Sequence, residues 1–212
     1  MRIPPSSPRF LHPVSRRPSF TGLFRAAFVL VALPTAALAH PGHGGGELTW
    51  DFSAGFAHPF SGWDHLLAMV AVGLWATQLG GRARWLVPAA FVSVMSLGAL
   101  LGHGGFTMPG IEQGIAATVF VLGLLIAASV RLPVAAGMAL VGLFALFHGL
   151  AHGAEMPVTT GGLAFGFGFV AATALLHLAG LGLGIVALRR SVRLARYTGW
   201  AIATAGIVLA IA

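Results

Sequence analysis

The sequence is organised around the stretch His58-Pro59-Phe60-Ser61-Gly62-Trp63-Asp64-His65, which leads directly into an apolar run from Leu66 to Thr77. Two imidazoles and one carboxylate therefore lie at the N-terminal end of a predicted membrane-spanning helix. Anchoring a helix in lipid requires none of these groups, and a bilayer makes ionisable side chains costly to bury. Their presence at this position predicts a functional role.

The composition is that of a membrane protein. Of the 212 residues, 57% are hydrophobic and 8% are charged, which argues against a soluble domain. The formal charge of +7 does not indicate a nucleic-acid partner, because five of the 12 basic residues precede the first apolar run and the other seven nearly balance the five acidic residues. Cysteine is absent, so disulfides, thiolate metal sites and thiol nucleophiles are excluded.

The first 39 residues are predicted to form a cleaved signal peptide. A basic region rich in Pro and Ser precedes the apolar run Ala26–Leu38, and Ala37-Leu38-Ala39 supplies the small residues that a signal peptidase reads. An uncleaved first span is the alternative, but the run is shorter than the ~20 residues that a bilayer core requires. Residues 40–57 then form a short polar segment outside the membrane, in the periplasm.

Residues 58–212 are predicted to form a bundle of six transmembrane helices, so the fold class is an all-α membrane protein. The six apolar runs occupy roughly residues 59–79, 85–103, 112–130, 133–151, 161–188 and 197–212. All arginines beyond the leader fall in the first, third and fifth connecting loops. The positive-inside rule places those loops in the cytoplasm, which puts both mature termini on the outer side.

Many of the 30 glycines lie inside the predicted spans rather than between them. The fifth span contains both Gly162-x3-Gly166 and Gly180-x3-Gly184, a spacing that lets helix backbones approach closely in lipid. We expect these glycines to serve helix packing.

Ionisable side chains of the spans concentrate on the predicted outer side. The first, second and fourth spans supply them: His58, Asp64, His65, His103, His148, His152 and Glu155. His148 and His152 are four residues apart, which places both rings on one helical face and within reach of a single ion. At a rise of 1.5 Å per residue, His65 and His148 lie at similar depths, so the first and fourth spans can combine their ligands.

If the first span were a straight helix, its own histidines could not bind one ion together. His58 and His65 would then be about 10 Å apart along the helix axis, too far to bind one ion. A break at Pro59 or Gly62 would bring them closer. Asp64 is then either a ligand or a hydrogen-bond acceptor that fixes the tautomer of a histidine. This stretch is predicted to be one half of a site whose other half lies in the fourth span.

Imidazole with a few carboxylates and no thiolate suits Ni²⁺, Co²⁺, Zn²⁺ or Cu²⁺, and ligand type alone does not choose among these ions. Further residues are candidates for a transport path or for capturing an ion at the mature N-terminus: His103, Thr173, His177 and Met69 for the path, and His40 and His43 for capture. Packing roles are the alternative for His177 and Met69.

Two motifs resemble the signatures of a known family. His58-x5-Asp64-His65, inside HPFSGWDHLLAMVAVGLWA, and FHGLAHGAE at residues 147–155 are similar to those of the HupE/UreJ family of bacterial nickel permeases, which are associated with hydrogenase and urease. The likeness covers essentially the whole mature chain. It implies a membrane permease with a cleaved signal peptide and six spans that takes up Ni²⁺. We therefore expect a secondary transporter in the inner membrane, with Co²⁺ or Zn²⁺ as alternative ions and with no organic cofactor. The likeness also implies which residues are critical for transport: His58, Asp64, His65, His148, His152 and Glu155.

Other classes of protein stay open at this point. The GxxxxGK[ST] motif is absent, so the chain is not itself an ATP-driven pump. Two histidines at this spacing with a carboxylate also describe a hydrolytic zinc site, but the HExxH glutamate is missing and no enzyme is expected. A b-type haem protein with His65 or His148 as an axial ligand is a further alternative. The last alternative is a metal-sensing or accessory membrane protein that binds a metal ion without transporting it.

Overall fold

The structure, a computed structural model, describes residues 51–156 and 160–211. Within these ranges there are seven helices and no strand, which confirms the all-α class for this part of the chain. In chain order the helices are α1 (Phe52–Ser61), α2 (Trp63–Leu79), α3 (Ala83–His103), α4 (Ile111–Ala128), α5 (Val134–Glu155), α6 (Thr160–Arg190) and α7 (Val192–Ile211). The predicted signal peptide, residues 1–39, and the capture candidates His40 and His43 lie outside the described residues.

Among the described helices, α3 to α7 are each long and apolar enough to cross a membrane. The first predicted span, residues 59–79, corresponds to the end of α1 and the whole of α2, which has 17 residues. Large apolar side chains cover the outside of the bundle; Leu163 and Phe167, for example, are 66% and 69% exposed. Such a surface is suited to lipid rather than to water.

The chain becomes helical earlier than the sequence indicated. Helix α1 begins at Phe52, within the segment 40–57 that was expected to be polar and outside the membrane. The Asp51 carboxylate accepts a hydrogen bond of 2.8 Å from the backbone N–H of Ala54, which satisfies one of the free donors at the start of the helix. This cap lets the helix begin several residues before the apolar run.

Glycines lock α3 against α5. A Cβ atom at Gly149 would overlap the carbonyl oxygen of Met95, and one at Gly153 would overlap that of Ala99. The two backbones are therefore in direct contact over more than one helical turn. Close approach of this kind is how helices associate in lipid, where apolar burial gives little driving force.

Glycines also lock α2 against α6. A Cβ atom at Gly180 would overlap the carbonyl oxygen of Val70, and one at Gly184 would lie 2.8 Å from the Cβ of Thr77. The predicted packing role is thus confirmed for this pair of glycines. A Cβ atom at Gly166, in the other predicted pair, would make only ordinary van der Waals contact. The tight helix pairs of the described residues include α3 with α5 and α2 with α6, as well as α4 with α7 and α1 with α6, whereas α3 and α6 touch over few residues.

Candidate metal centre

Four histidine rings come together where α1 ends, α2 begins and α5 ends. We call them the histidine cluster: His58 on α1, His65 on α2, and His148 and His152 on α5. The ring centroids of His65 lie 4.6 Å from His152 and 5.0 Å from His148. His58 adds a ring 4.7 Å from His152. His58 is half-buried, whereas the other three are at most 5% exposed.

The break between α1 and α2 makes this convergence possible. Gly62 has an extended backbone, with φ −109° and ψ 126°, so the chain turns between the two helices. The ring centroids of His58 and His65 are consequently 6.0 Å apart, less than the separation of about 10 Å on a straight helix. Of the two break points considered from the sequence, Gly62 is the one used, and Pro59 stays inside α1.

The shortest contact in the cluster joins residues 87 positions apart in the chain. Nε2 of His65 and Nε2 of His152 are 2.6 Å apart, which is a hydrogen bond. Two nitrogens that bind one ion at 2.0–2.1 Å would be separated by roughly 2.9 to 3.4 Å, depending on the angle at the metal. No group of three or more His, Asp or Glu side chains within the described ranges is arranged to hold an ion. The cluster is therefore a hydrogen-bonded set of imidazoles, whose rings would have to move apart before they could bind one ion.

Asp64 orients His65. Its Oδ1 atom accepts hydrogen bonds from the backbone N–H of His65 at 2.8 Å and from ring Nδ1 at 2.7 Å. A carboxylate only accepts, so Nδ1 carries a proton, and in the neutral ring Nε2 of His65 has the lone pair. With His65 neutral, His152 is the donor in the contact between the two Nε2 atoms. Of the two roles considered for Asp64, this geometry corresponds to the acceptor that fixes a tautomer.

Thr118 on α4 orients His148 in a similar way. The Thr118 hydroxyl donates to the carbonyl oxygen of Ile115 at 2.7 Å, so it can only accept from Nε2–H of His148, 3.1 Å away. Nδ1 of His148 then has the lone pair, and it is buried with no hydrogen-bond partner among the residues described. A fixed tautomer with one free nitrogen is the state that a metal ligand requires. Sequence reasoning missed Thr118, because a threonine in an apolar run gives no distinct signal.

The remaining outer candidates lie at the edge of the cluster. Glu155 is 51% exposed, and its Oε2 is 3.9 Å from Nδ1 of His152, longer than a hydrogen bond. His103 is exposed and donates from Nδ1 to the carbonyl oxygen of Met156 at 3.1 Å. That contact ties the end of α3 to the end of α5, so His103 has a structural partner there.

The path candidates lie deeper in the bundle. His177 on α6 is 2% exposed, and its Nδ1 donates to the backbone carbonyl of Met69 at 2.8 Å. Met69 thus contributes its carbonyl oxygen here, while its side chain is fully buried in the core. The Phe91 ring contacts both His177 and His148, with centroid distances of 5.1 and 5.7 Å. Sequence reasoning missed Phe91, since an apolar residue in a span looks like ordinary core.

These features define a helical, multi-pass membrane protein with a buried centre built from imidazoles. Residues 28–209 match the family model described as HupE / UreJ protein. The chain is also 48% identical over 181 residues to Protein HupE of Rhizobium leguminosarum bv. viciae, an alignment that covers 84% of this chain and 92% of that protein. The chain belongs to the HupE/UreJ family, as its two motifs indicated. No solved structure matches it.

Proposed function

We propose that this protein is a secondary transporter that takes up a divalent transition-metal ion, Ni²⁺ before Co²⁺, for metalloenzyme maturation. The observation that carries the proposal is the contact between Nε2 of His65 and Nε2 of His152, 2.6 Å apart and buried between two helices. Burying several imidazoles inside a membrane bundle is costly, and an ion pathway is the usual reason for it. Membership of the HupE/UreJ family supports nickel, and a link to hydrogenase or urease.

On this proposal α1 and α2 together form the first of six spans, and α3 to α7 form the others. Arg82 and Arg84 precede or begin α3, at the end opposite to the histidine cluster. The positive-inside rule assigns the arginine end to the cytoplasm and the cluster end to the periplasm. Both termini of the mature chain are then periplasmic, and the membrane is the bacterial inner membrane.

An ion arriving from the periplasm would meet the exposed carboxylate of Glu155 and the half-buried ring of His58 first. It would then separate His65 from His152 and take the place of their hydrogen bond. Nε2 of His65 already has a free lone pair, but His152 must lose or move its Nε2 proton. Binding is therefore expected to release or shift a proton. The buried Nδ1 of His148 supplies a third ligand.

The membrane potential is a sufficient driving force. A doubly charged ion gains about 4.6 kcal/mol per 100 mV when it moves to the negative side. The sequence contains no phosphate-binding GxxxxGK[ST] loop, which supports a transporter that uses an electrochemical gradient.

Uptake of radiolabelled Ni²⁺ into cells tests the proposal. We expect uptake by cells with the unaltered protein, and loss of uptake with His65→Ala and His148→Ala. Leu97→Ala is the matched control, because Leu97 is 54% exposed on the apolar outside of the bundle. Excess Co²⁺ should reduce uptake by the unaltered protein. Equal uptake in all variants, without competition by Co²⁺, would contradict transport through this centre.

A binding protein that does not transport is the second candidate, an accessory protein or sensor. It is favoured by one observation: the fully buried Phe91 ring packs against His148, with ring centroids 5.7 Å apart. Purified protein in sealed liposomes distinguishes the two. A transporter delivers Ni²⁺ to a chelating dye inside, whereas a binding protein takes up Ni²⁺ only in proportion to its own amount.

A further inference from the structure

Two cavities lie along the seam between α3 and α6. One has a volume of about 240 Å³ and reaches His152, with His103 near its end. The other has a volume of about 310 Å³ and reaches His177, with Ser93 on its wall and Arg84 near its end. Both are partly open on the outside of the bundle, where lining residues such as Phe167 and Ser93 are exposed. The first cavity belongs to the cluster end of the bundle and the second to the arginine end.

Three buried side chains lie on the inner side of the seam between α3 and α6: Phe91 and Met95 on α3 and Thr173 on α6, all at most 2% exposed. The Thr173 hydroxyl lies 3.9 Å from the sulfur of Met95, which joins the two helices at this depth, and Met95 also lines the first cavity. The Phe91 ring contacts the rings of both His148 and His177. We call these three residues the barrier layer.

His177 has the properties of a ligand on the far side of this layer. Because Nδ1 donates to the carbonyl oxygen of Met69, Nε2 has the lone pair. That nitrogen is buried and has no hydrogen-bond partner among the residues described. A buried polar atom without a partner is unfavourable and needs an explanation. A neutral imidazole nitrogen beside a cavity is a suitable ligand for a divalent transition-metal ion.

The helix pairs suggest how the layer opens. Glycine contacts lock α3 to α5 and α2 to α6, so each pair is expected to move as one body. The α3–α5 pair contains His148, His152 and Phe91, and the α2–α6 pair contains His65 and His177. A shift of one pair against the other would change the His65–His152 contact and the Phe91–His177 contact together.

We infer that His177 is a second binding position for the transported ion, reached from the arginine end of the bundle, and that the barrier layer closes it off from the histidine cluster. The inference rests on the proposed transport function. An ion bound at the cluster passes to His177 when the seam between α3 and α6 opens at Phe91. The cavity lined by Ser93 then leads it out.

Side-specific labelling tests the barrier. The chain has no cysteine, so single cysteines can be introduced without background: Ser93→Cys in the second cavity and Ala99→Cys in the first. Arg82→Cys and Thr107→Cys, in the loops at the two ends of α3, mark the two sides of the membrane. The probe is a membrane-impermeant methanethiosulfonate applied to one side of vesicles.

We expect Ser93→Cys to react from the same side as Arg82→Cys, and Ala99→Cys from the same side as Thr107→Cys. Reaction of Ser93→Cys from both sides would show that no barrier exists. Reaction from neither side would show that water and ions do not reach the second cavity. Either outcome overturns the inference, and neither depends on which side of the membrane is the cytoplasm.

Two further variants test the named residues. Phe91→Ala, with Phe91→Leu as a variant that keeps more of the side chain, should make Ser93→Cys reactive from the side of Thr107→Cys. Phe144→Ala, another buried core phenylalanine, should leave the labelling one-sided. If Phe91→Ala also leaves it one-sided in folded protein, Phe91 is not the barrier.

His177→Ala should keep Ni²⁺ binding at the cluster, measured on purified protein, but lose delivery of Ni²⁺ into liposomes. Retained cluster binding shows that the variant is folded. Unchanged delivery would overturn the role of His177 while leaving the transport function intact, because that function is tested by His65→Ala. Unchanged delivery in both His177→Ala and His65→Ala would instead contradict transport through the histidine cluster.

Discussion

The buried imidazoles of the histidine cluster and the buried imidazole of His177 have different hydrogen-bond partners. In the cluster, rings from three helices pair with one another and with the side chains of Asp64 and Thr118. At His177 a single ring donates to a backbone carbonyl, its other nitrogen is buried without a partner among the residues described, and the residue lines a cavity. On the proposed function, the cluster offers several ligands to one ion, whereas His177 offers one imidazole. The number of converging ligands then predicts tight binding at the cluster and weak binding at His177, an asymmetry that would favour release at the arginine end of the bundle.

The largest effect should come from His65→Ala. Its ring is the member of the cluster that contacts both His148 and His152, so its removal leaves no ligand from α2. We expect the affinity of purified protein for Ni²⁺ to fall by more than the roughly 100-fold that loss of an outer hydrogen-bond partner costs. Equilibrium dialysis with radiolabelled Ni²⁺ measures this. If His177→Ala weakened Ni²⁺ binding more than His65→Ala, the tighter binding position would be His177 and not the histidine cluster.

A smaller loss is expected from disturbing the orientation of His65. Asp64→Asn should weaken Ni²⁺ binding by roughly 10- to 100-fold, the usual range for the partner of a ligating histidine. Gly62→Ala should act in the same direction, because its Cβ would lie 2.6 Å from Oδ1 of Asp64 and displace the carboxylate. Gly166→Ala is the matched control, since a Cβ there would be 3.8 Å from the sulfur of Met156. Full affinity in Asp64→Asn would mean that the hydrogen bond does not prepare His65 for binding.

Thr118→Val should act mainly on stability. It removes the acceptor for Nε2–H of His148 and leaves a buried donor unpaired, which costs about 1–3 kcal/mol. Thermal unfolding of the purified protein should therefore begin at a lower temperature. Thr118→Ser, which keeps the hydroxyl, should restore most of the loss. A valine variant as stable as the unaltered protein would show that His148 finds another partner.

The smallest effect is expected for Glu155→Gln. Its carboxylate is 51% exposed and 3.9 Å from the nearest nitrogen of His152, so it acts on the arriving ion through charge rather than through a buried contact. The initial rate of Ni²⁺ uptake should fall a few-fold at low salt and hardly at all at high salt, where exposed charges are screened. An equal fall at both salt concentrations would identify Glu155 as a direct ligand.

Much of the fold could be predicted because its signals are local. Apolar runs of the length of a bilayer core marked the helices α3 to α7, and the four-residue spacing of His148 and His152 placed both rings on one face. The start of α1 at Phe52 could not be read from hydrophobicity, because the Asp51 cap determines it. A cap is a hydrogen bond to one backbone N–H, and an aspartate in a polar segment does not indicate by itself that it makes one.

The sequence by itself determined an all-α membrane protein, its family, and two motifs that belong to one centre. Tertiary structure decided that the chain breaks at Gly62, that Asp64 hydrogen-bonds to Nδ1 of His65, and that Phe91 packs against His148. The physical reason is the range of the interactions. Helical periodicity sets which residues share a face, but contacts between glycines and backbones of distant helices decide which faces meet, and so bring His65 against His152.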